Sequence, residues 1–583
     1  MRKFLPWVFF TLPVMLLLAL TNPFGKRPAP APADDVVSAI SCAPGAALAG
    51  LSADDHGKYA PLFPGWGHHS YSITTKNDSA RLYFNQGLNL YYSYHLTESL
   101  ASFKEAARFD SSCVMAYWGQ ALAMGPYYNN YYYKMPVGVL AVIQKMNRFV
   151  ASSSAAAGTV TAKEKDLVEV MDKRYSADSL DKKRAALNRA YSAGLKELIG
   201  KYPEDLDIRA LYIDGVMLEH VWDFWTPAGQ PKEWTPELVS ICERILAADP
   251  HHPAALHYQI HLVEASLHPE AALHSADVLK DLMPGVAHMV HMSTHMYQRN
   301  GLYAKGERVN ESANDAWNYY DSLAKNLDLG RNALVHVYAV QTFCAMSAGM
   351  VEKSIRAAAR CRSSILVYNK GILNRTYVQY NYMMPVFALV RLGKWQEILD
   401  APLPETRLVF AGVLSDFARG LAYMHMGNAE AAGKCLDSLR GKLSDSSLQV
   451  RNLPFNAPIV AARIAGGILE GEVLYAEKKY DAAIAALTEA VKLEDGMIYR
   501  EPKEWPIPVR HFLGACLLKL GRPVEAEKVY HEDLVLNPGN GWSMLGLYQS
   551  LGAQGKDQAA MEYKTKYIKA FSDAEAVPPG SAF

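Results

Sequence analysis

The sequence predicts an all-α fold, a right-handed superhelix of stacked antiparallel helix pairs. The first observation is a recurring pattern of small, aromatic and proline residues. In a unit that starts at Ile507, Gly514 is the 8th residue, Ala526 the 20th, Tyr530 the 24th and Pro538 the 32nd. Small residues let the two helices of a pair touch, and proline ends the second helix. This pattern indicates a helical solenoid.

The same pattern recurs elsewhere in the chain. A unit from Ile464 has Gly471 at position 8, and a unit from Ala80 has Gly87 at position 8 and Phe103 at position 24. A repeat of about 34 residues with these small positions is typical of tetratricopeptide (TPR) arrays. The sequence therefore predicts a TPR-type α-solenoid.

The second observation concerns two histidine pairs, each with a four-residue spacing that places both side chains on one helix face. His257 and His291 are 34 residues apart, as are His261 and His295. Equivalent positions of consecutive repeats stack side by side, so we expect these four imidazoles to converge on the concave surface. Convergent imidazoles indicate a metal site.

Further polar residues share these helix faces. His288 lies one turn before the second pair, Glu264 lies one turn after the first, and His336 is the second residue of a later unit. Three or four neutral imidazoles with a carboxylate suit zinc, copper, iron or nickel better than magnesium or calcium. His257, His261 and Glu264 alone could form a two-histidine, one-carboxylate iron site. The alternative is that the histidines hydrogen-bond a peptide ligand.

Two other histidine pairs precede repeats. His68 and His69 could drape over the groove and add ligands, or they could form a polar loop. His251 and His252 lie in an inter-repeat turn, where we expect them to be solvated. The candidate metal ligands are therefore His257, His261, Glu264, His288, His291, His295, His336, His68 and His69.

Composition excludes several classes of function. Lys plus Arg and Asp plus Glu both number 59, so the formal net charge is zero, which argues against nucleic acid or anionic lipid as a general partner. The 7 cysteines are scattered without a CxxC motif, so no disulfide framework or thiolate zinc site is predicted. The sequence contains no Walker loop, GxSxG or HExxH motif.

The N-terminus predicts export. Residues 1–25 combine Arg2 and Lys3 with an apolar run from Phe4 to Leu20, which reads as a signal peptide or an N-terminal anchor. Residues 26–66 form a Pro/Ala-rich linker and lead-in segment. We expect a periplasmic protein, or one anchored in the membrane and facing the periplasm, whose only membrane contact is an uncleaved N-terminal segment.

The rest of the chain divides by how regular its repeats are. Irregular stretches at 151–161, 222–237 and 321–331 interrupt the helical pattern. The predicted regions are N-terminal TPR-like helices at 67–150, irregular helical repeats at 151–250, a histidine-bearing TPR core at 251–350 and C-terminal TPR repeats at 351–583.

Three stretches carry a resemblance to a known family. They are His68-His69 through Tyr83-Phe84 and Gly87 to Tyr117-Trp118-Gly119; Leu256-His257-Tyr258 and Ile260-His261 with His288, His291-Met292 and His295; and Pro508-Val509-Arg510 with Leu513-Gly514-Ala515 and Asn537-Pro538. The chain resembles a largely uncharacterised family of exported bacterial TPR proteins with histidine-rich repeats. It departs from that family at Ser293-Thr294, where Pro-Ser is usual. A Pro-His-Asn-x-His segment is reduced to His336.

These observations lead to two functional hypotheses. The first is an exported scaffold that binds a protein, peptide or small-molecule ligand in its concave groove and holds a zinc, copper or iron ion with histidines of adjacent repeats. The alternative is a metal-dependent oxidoreductase or hydrolase that uses the same histidines. An acid, base or nucleophile beside the metal would favour the enzyme over the binding scaffold, and Glu264 is the nearest candidate for such a group.

Overall fold

The structure is a computed structural model of the chain, and it describes residues 51–129, 133–153, 160–178, 181–323, 333–368, 370–451 and 455–583. The expected signal or anchor at 1–25 and the first part of the linker lie outside the described residues. Those that are described form an all-α solenoid without β-strands. Of the helices that the structure describes, none combines the length and apolar composition of a membrane span.

The helices follow one another as packed neighbours along the chain. In the first half they are α1 (Asp78–Tyr92), α2 (Leu96–Phe109), α3 (Val114–Ala123), α4 (Val139–Ser153), α5 (Ala162–Asp172), α6 (Arg184–Lys201), α7 (Leu206–Glu219), α8 (Thr235–Ala248), α9 (Pro253–Val263), α10 (Leu273–Leu282), α11 (Ala287–Arg299) and α12 (Tyr303–Leu323). In the second half they are α13 (Ala333–Ser347), α14 (Val351–Tyr368), α15 (Gln379–Tyr382), α16 (Met384–Arg391), α17 (Trp395–Asp400), α18 (Val409–His425), α19 (Ala429–Lys442), α20 (Pro458–Ala476), α21 (Tyr480–Asp495), α22 (Val509–Lys519), α23 (Pro523–Leu536), α24 (Gly541–Ala553) and α25 (Asp557–Ala570).

Close approach at the small positions explains why the helices pair. A Cβ atom added to Gly514 would lie 2.3 Å from Cζ of the buried Tyr530 ring, and one added to Gly546 on the next helix would lie equally near it. The two glycines therefore leave room for one tyrosine ring between three helices. Gly87 and Phe103 repeat this arrangement near the N-terminus, where the added Cβ would lie 2.8 Å from the ring.

The register predicted for the histidine repeats is confirmed. Helix α9 begins at Pro253 and α11 begins at Ala287, the first residues of the two predicted units. The irregular stretch after Trp222 is also observed, with an isolated bridge between Trp225 and Pro231 before α8 starts. The loop expected at 321–331 is wrong for residues 321–323, which belong to α12; residues 324–332 lie outside the described part of the chain.

One long connection matters for the site. Residues 496–508 join α21 to α22, and this segment buries Glu501 and Trp505 among the helices instead of turning directly into the next repeat. Apolar packing divides into two large clusters, one built from residues before Val335 and the other starting with Val335. The predicted histidine-bearing region lies at the junction between them.

Candidate metal centre

Six histidines from three helices lie together in the interior. His257 and His261 project from α9, and His336 projects from α13. The remaining three, His288, His291 and His295, lie on α11. Every one of the six has a relative exposure of 4% or less. These six residues are called the histidine centre below, and their burial means that they do not form an open peptide-binding surface.

The first set of the centre comprises His257, His261 and His288. One ring nitrogen from each lies within 4.8 Å of the other two. The Nε2 atoms of His257 and His288 are 3.2 Å apart, and the ring centroids of His257 and His261 are 4.9 Å apart. His288, which extends the second sequence pair, thus joins the first pair.

The second set comprises His291, His295 and His336, whose ligand atoms also lie within 4.8 Å of one another. Ring centroids are 4.7 Å apart for His291 and His295 and 5.0 Å for His291 and His336. From the sequence we expected four histidines to converge on one metal site, whereas the structure divides six histidines into two sets of three.

Hydrogen bonds fix the ring orientation of three histidines through Nδ1. His257 donates from Nδ1 to the Tyr92 carbonyl at 2.7 Å. His261 donates from Nδ1 to Glu264 Oε1 at 3.0 Å, and His291 donates from Nδ1 to Asn310 Oδ1 at 2.7 Å. With the proton on Nδ1, each Nε2 carries a free lone pair. A metal-binding histidine almost always has such an outer hydrogen bond.

The Nε2 atoms face an interior that offers them few protein partners. Nε2 of His261 and Nε2 of His291 are buried without a hydrogen-bond partner. A buried polar atom without a partner costs about 1–3 kcal/mol, so such atoms are rare in folded proteins. Unpaired lone pairs on several convergent imidazoles are what a metal ion would satisfy.

Glu501 approaches the second set from the 496–508 segment. Its Oε2 contacts His295 Nε2 and lies 3.5 Å from His336 Nε2. Gln298 Nε2 lies 3.3 Å from the other ring nitrogen of His295. A Glu501 oxygen also falls within 4.8 Å of ligand atoms of His261 and Glu264. This carboxylate therefore extends from the second histidine set to the first.

Burial favours the neutral form of five imidazoles of the centre. It lowers the pKa of His257 to about 4 and holds the pKa values of His261, His288 and His291 well below the ordinary 6.5. Burial also lowers the pKa of His336. Neutral imidazole is the form that donates to a metal, so the ligands are prepared for binding at neutral pH.

The two carboxyl groups of the site behave oppositely. Burial and the nearby Glu501 charge raise the pKa of Glu264 well above its usual range. Burial also opposes ionisation of Glu501, but His295 and His336 hold the pKa of Glu501 well below its usual range. Glu501 is thus the anionic group, and Glu264, bonded to His261 Nδ1, acts mainly to orient that ring.

Aromatic rings enclose the first set. The Tyr94 ring centroid lies 4.7 Å from that of His257, and Tyr128 and Trp222 lie 4.9 Å and 5.8 Å from His261. Tyr94 and Trp222 have φ values of 57° and 58°. Bulky residues rarely adopt this left-handed conformation, and such strain concentrates at functional sites. The fold maintains two strained residues where they cover the imidazoles.

A cavity of about 500 Å³ lies on the other side of this wall. Trp222, Tyr499 and Arg299 line it, and Arg299 donates from Nε to the Glu264 carbonyl at 2.8 Å. The remaining lining combines charged and aromatic groups, including Lys503 and Trp505. Its volume matches that of a small-molecule site.

The histidines near the N-terminus do not join the centre. His68 is exposed, whereas His69 Nε2 bonds Asp207 Oδ1 at 2.8 Å. Asp207 also accepts from the Tyr92 hydroxyl at 2.7 Å. The expectation that His252 is solvated is wrong. Its side chain is fully buried, and its Nδ1 caps α9 by accepting from the Ala255 amide at 3.4 Å.

Four further residues of the site were not predicted from the sequence. Glu501 belongs to an inter-helix segment more than 160 residues beyond His336, and Asn310 lies on the helix after α11. Tyr94 and Trp222 lie in turns. The one feature of the sequence that could have pointed to Glu501 is the long connection between α21 and α22, and its length does not identify a particular residue.

Comparison with known proteins gives limited information. No family model and no curated protein matches the chain. The solved structures similar to it include a human IFIT1 dimer with m7Gppp-AAAA (12% identity, 85% of this chain and 91% of that chain, TM-score 0.31). They also include the APC/C hetero-tetramer Cut9–Hcn1 (12% identity, 86% of this chain and 76% of that chain, TM-score 0.27). Yeast Tom70 is a third (10% identity, 84% of this chain and 90% of that chain, TM-score 0.27). At these identities and scores the similarity says nothing about function.

Proposed function

We propose that this protein is an exported TPR-type scaffold that holds a transition metal in its histidine centre and binds a small-molecule ligand beside it. One observation carries the metal assignment. Buried imidazoles from three helices converge, Nδ1 hydrogen bonds orient three of them, and Nε2 atoms of His261 and His291 lack a partner. This combination is expensive in a protein that binds nothing there.

Ligand chemistry narrows the metal. Nitrogen donors dominate, with one anionic carboxylate from Glu501, and no thiolate belongs to any of the metal-ligand groups among the described residues. Imidazole suits zinc, copper and iron, whereas magnesium and calcium prefer oxygen. The site therefore favours zinc, copper or iron.

The metal proposal is tested by elemental analysis of the full-length chain, purified after export and without added metal. We expect zinc, copper or iron at one or more ions per chain, and a visible spectrum if the ion is copper or iron. Protein that contains no metal and takes up none of the three on titration would contradict the proposal. Far-ultraviolet circular dichroism of the same samples checks that the helices are intact.

The cavity supports the ligand proposal, because Trp222 lines the cavity and also covers the centre, and the cavity residue Arg299 bonds the Glu264 carbonyl. Leu267→Trp would fill part of it, and Leu403→Trp is a control at an exposed position. Native mass spectrometry of the exported protein should show a bound mass beyond the metal that only Leu267→Trp removes. An equal mass in all three proteins would place the ligand elsewhere.

Export is proposed from the basic, apolar N-terminus alone. Fractionation after expression in a bacterium should find the folded protein in the periplasm or on the periplasmic side of the membrane. Recovery of full-length protein from the cytoplasm alone would contradict it.

A further inference from the structure

We infer that the histidine centre holds two metal ions, one on each histidine set, with Glu501 between them. This inference rests on the proposed metal-binding function and adds the number of ions and the bridging residue. It follows from how the six imidazoles are distributed, from the position of Glu501, and from the charge that the site must balance.

The distribution of ligand atoms comes first. Two nitrogens bound to one ion at about 2.0–2.1 Å each can be at most about 4.2 Å apart. The ligand atoms of His257, His261 and His288 lie within 4.8 Å of one another, as do those of His291, His295 and His336, but the six do not form one such group. A small contraction closes each set around its own ion, whereas one ion cannot reach both.

Glu501 occupies the space between the sets. Its Oε2 contacts His295 and lies 3.5 Å from His336, and a Glu501 oxygen lies within 4.8 Å of the His261 ligand atom. Its Oε1 is buried without an amide or hydroxyl hydrogen-bond partner, and its carboxyl group lies near that of Glu264. A carboxylate that lies between two sites can bridge metal ions about 3.5–4 Å apart, the separation found in two-metal enzymes.

Charge and coordination agree with two ions. Histidine binds a metal as neutral imidazole, so the three histidines of each set bring no negative charge to their ion, and the carboxylate nearest both sets is Glu501. Two divalent ions therefore retain positive charge that hydroxide or another small anion must balance. Three imidazoles and one carboxylate oxygen give each ion four protein ligands, so such an anion would take a fifth position, to which zinc sites can expand. The centre is thus built to hold a small anion between two metals.

The test uses copper(II) as the probe on the full-length, metal-free protein. Copper per chain is measured after gel filtration, and the integrated electron paramagnetic resonance signal is measured on the same sample. We expect about two coppers per chain, with a signal well below the copper content because neighbouring bridged ions couple magnetically. His257→Ala and His336→Ala, which each damage one set, should retain about one copper with a full signal.

Glu501→Gln tests the bridge separately. It preserves the shape of the side chain but removes its charge, and we expect the second copper to bind at least about 10-fold more weakly. His531→Ala, at a half-exposed position, is the control and should match the wild type. A variant is interpreted only if its circular dichroism spectrum matches that of the wild type. If His257→Ala does not fold, His261→Ala replaces it, and His291→Ala replaces His336→Ala in the same way.

The outcomes separate the two proposals. A single copper per chain with a full signal in the wild type would overturn the two-ion inference and leave the metal-binding function standing. Two coppers with a full signal, unaffected by Glu501→Gln, would overturn the bridge. No copper, zinc or iron binding at all would overturn the proposed function itself.

Discussion

His291 and His511 occupy the same position of their repeats, the fifth residue counted from Ala287 and from Ile507, and both are fully buried. Their surroundings differ. His511 accepts from Arg391 at Nδ1 (3.0 Å), and its Nε2 lies 3.0 Å from Ser543 Oγ. His291 has a partner only at Nδ1. A buried histidine therefore indicates a ligand site only when one ring nitrogen has no protein partner.

Asp533 completes the His511 arrangement. It lies 3.3 Å from His511 Nε2 and accepts from the Ser543 hydroxyl at 2.6 Å. Arg391, Ser543 and Asp533 come from three different elements, so this histidine ties repeats together. The histidine centre instead leaves lone pairs directed at a shared interior space. One region uses imidazole for stability, and the other leaves it available for binding.

The largest expected effect of this difference is on stability without metal. His511→Leu should lower the free energy of unfolding by about 3–5 kcal/mol, because it leaves Asp533 and Arg391 buried without their partner. His261→Leu should cost less, about 1–3 kcal/mol, because it removes the unpaired Nε2 atom and leaves only Glu264 Oε1 without its partner. Urea unfolding of the chelator-treated proteins measures both. Equal losses in the two variants would break the comparison.

The next effect is a pH dependence of the His511 region. Burial opposes ionisation of Asp533, but His511, Ser543 and Asn537 lower the pKa of Asp533 from 3.8 to about 2. A carboxyl group whose pKa is lower in the folded state stabilises the fold, and this stabilisation is complete at any pH above the pKa of the unfolded state. The contribution of Asp533, about 2–3 kcal/mol, is lost as the pH falls from about 4 through about 2.

Asp533→Asn measures that contribution directly. The difference in unfolding free energy between wild type and variant should be largest near pH 6 and should narrow as the pH falls to about 3. The comparison is made in urea on metal-free protein. A difference that stays constant across this range would show that the Asp533 charge does not stabilise the fold.

The smallest effect concerns the outer hydrogen bonds of the centre. Asn310→Ala removes the acceptor of His291 Nδ1–H but leaves all six imidazoles. We expect metal affinity to fall by about 10- to 100-fold, which is typical for loss of such a partner. Competition with a chelator of known affinity measures it. Asn314→Ala, which removes a buried amide on the same helix, is the matched control.

Sequence reasoning succeeded where periodicity governs the structure. The all-α solenoid, the starts of α9 and α11 and the convergence of their histidines all follow from the repeat pattern, because equivalent positions stack. In the structure His288 lies with His257 and His261 instead of with the second pair, and His336 lies with His291 and His295. Export, metal occupancy and the absence of a nucleic-acid partner remain predictions.

The sequence could not predict how each histidine would be used. Repeat position alone makes His511 equivalent to His291, since their different partners come from other helices. Glu501 was missed because it lies in a connection with no periodic relation to the histidines. His252 was expected to be solvated because turns are usually exposed, but it is a buried N-cap.

The metal content of three matched variants tests the central claim most directly. His291→Ala removes a ring with an unpaired nitrogen, His511→Ala removes a fully paired one, and His531→Ala changes a half-exposed side chain. Elemental analysis of folded protein should show metal loss in His291→Ala alone, with wild-type content in the other two. Equal metal content in His291→Ala and wild type, or equal loss in His511→Ala, would contradict the account.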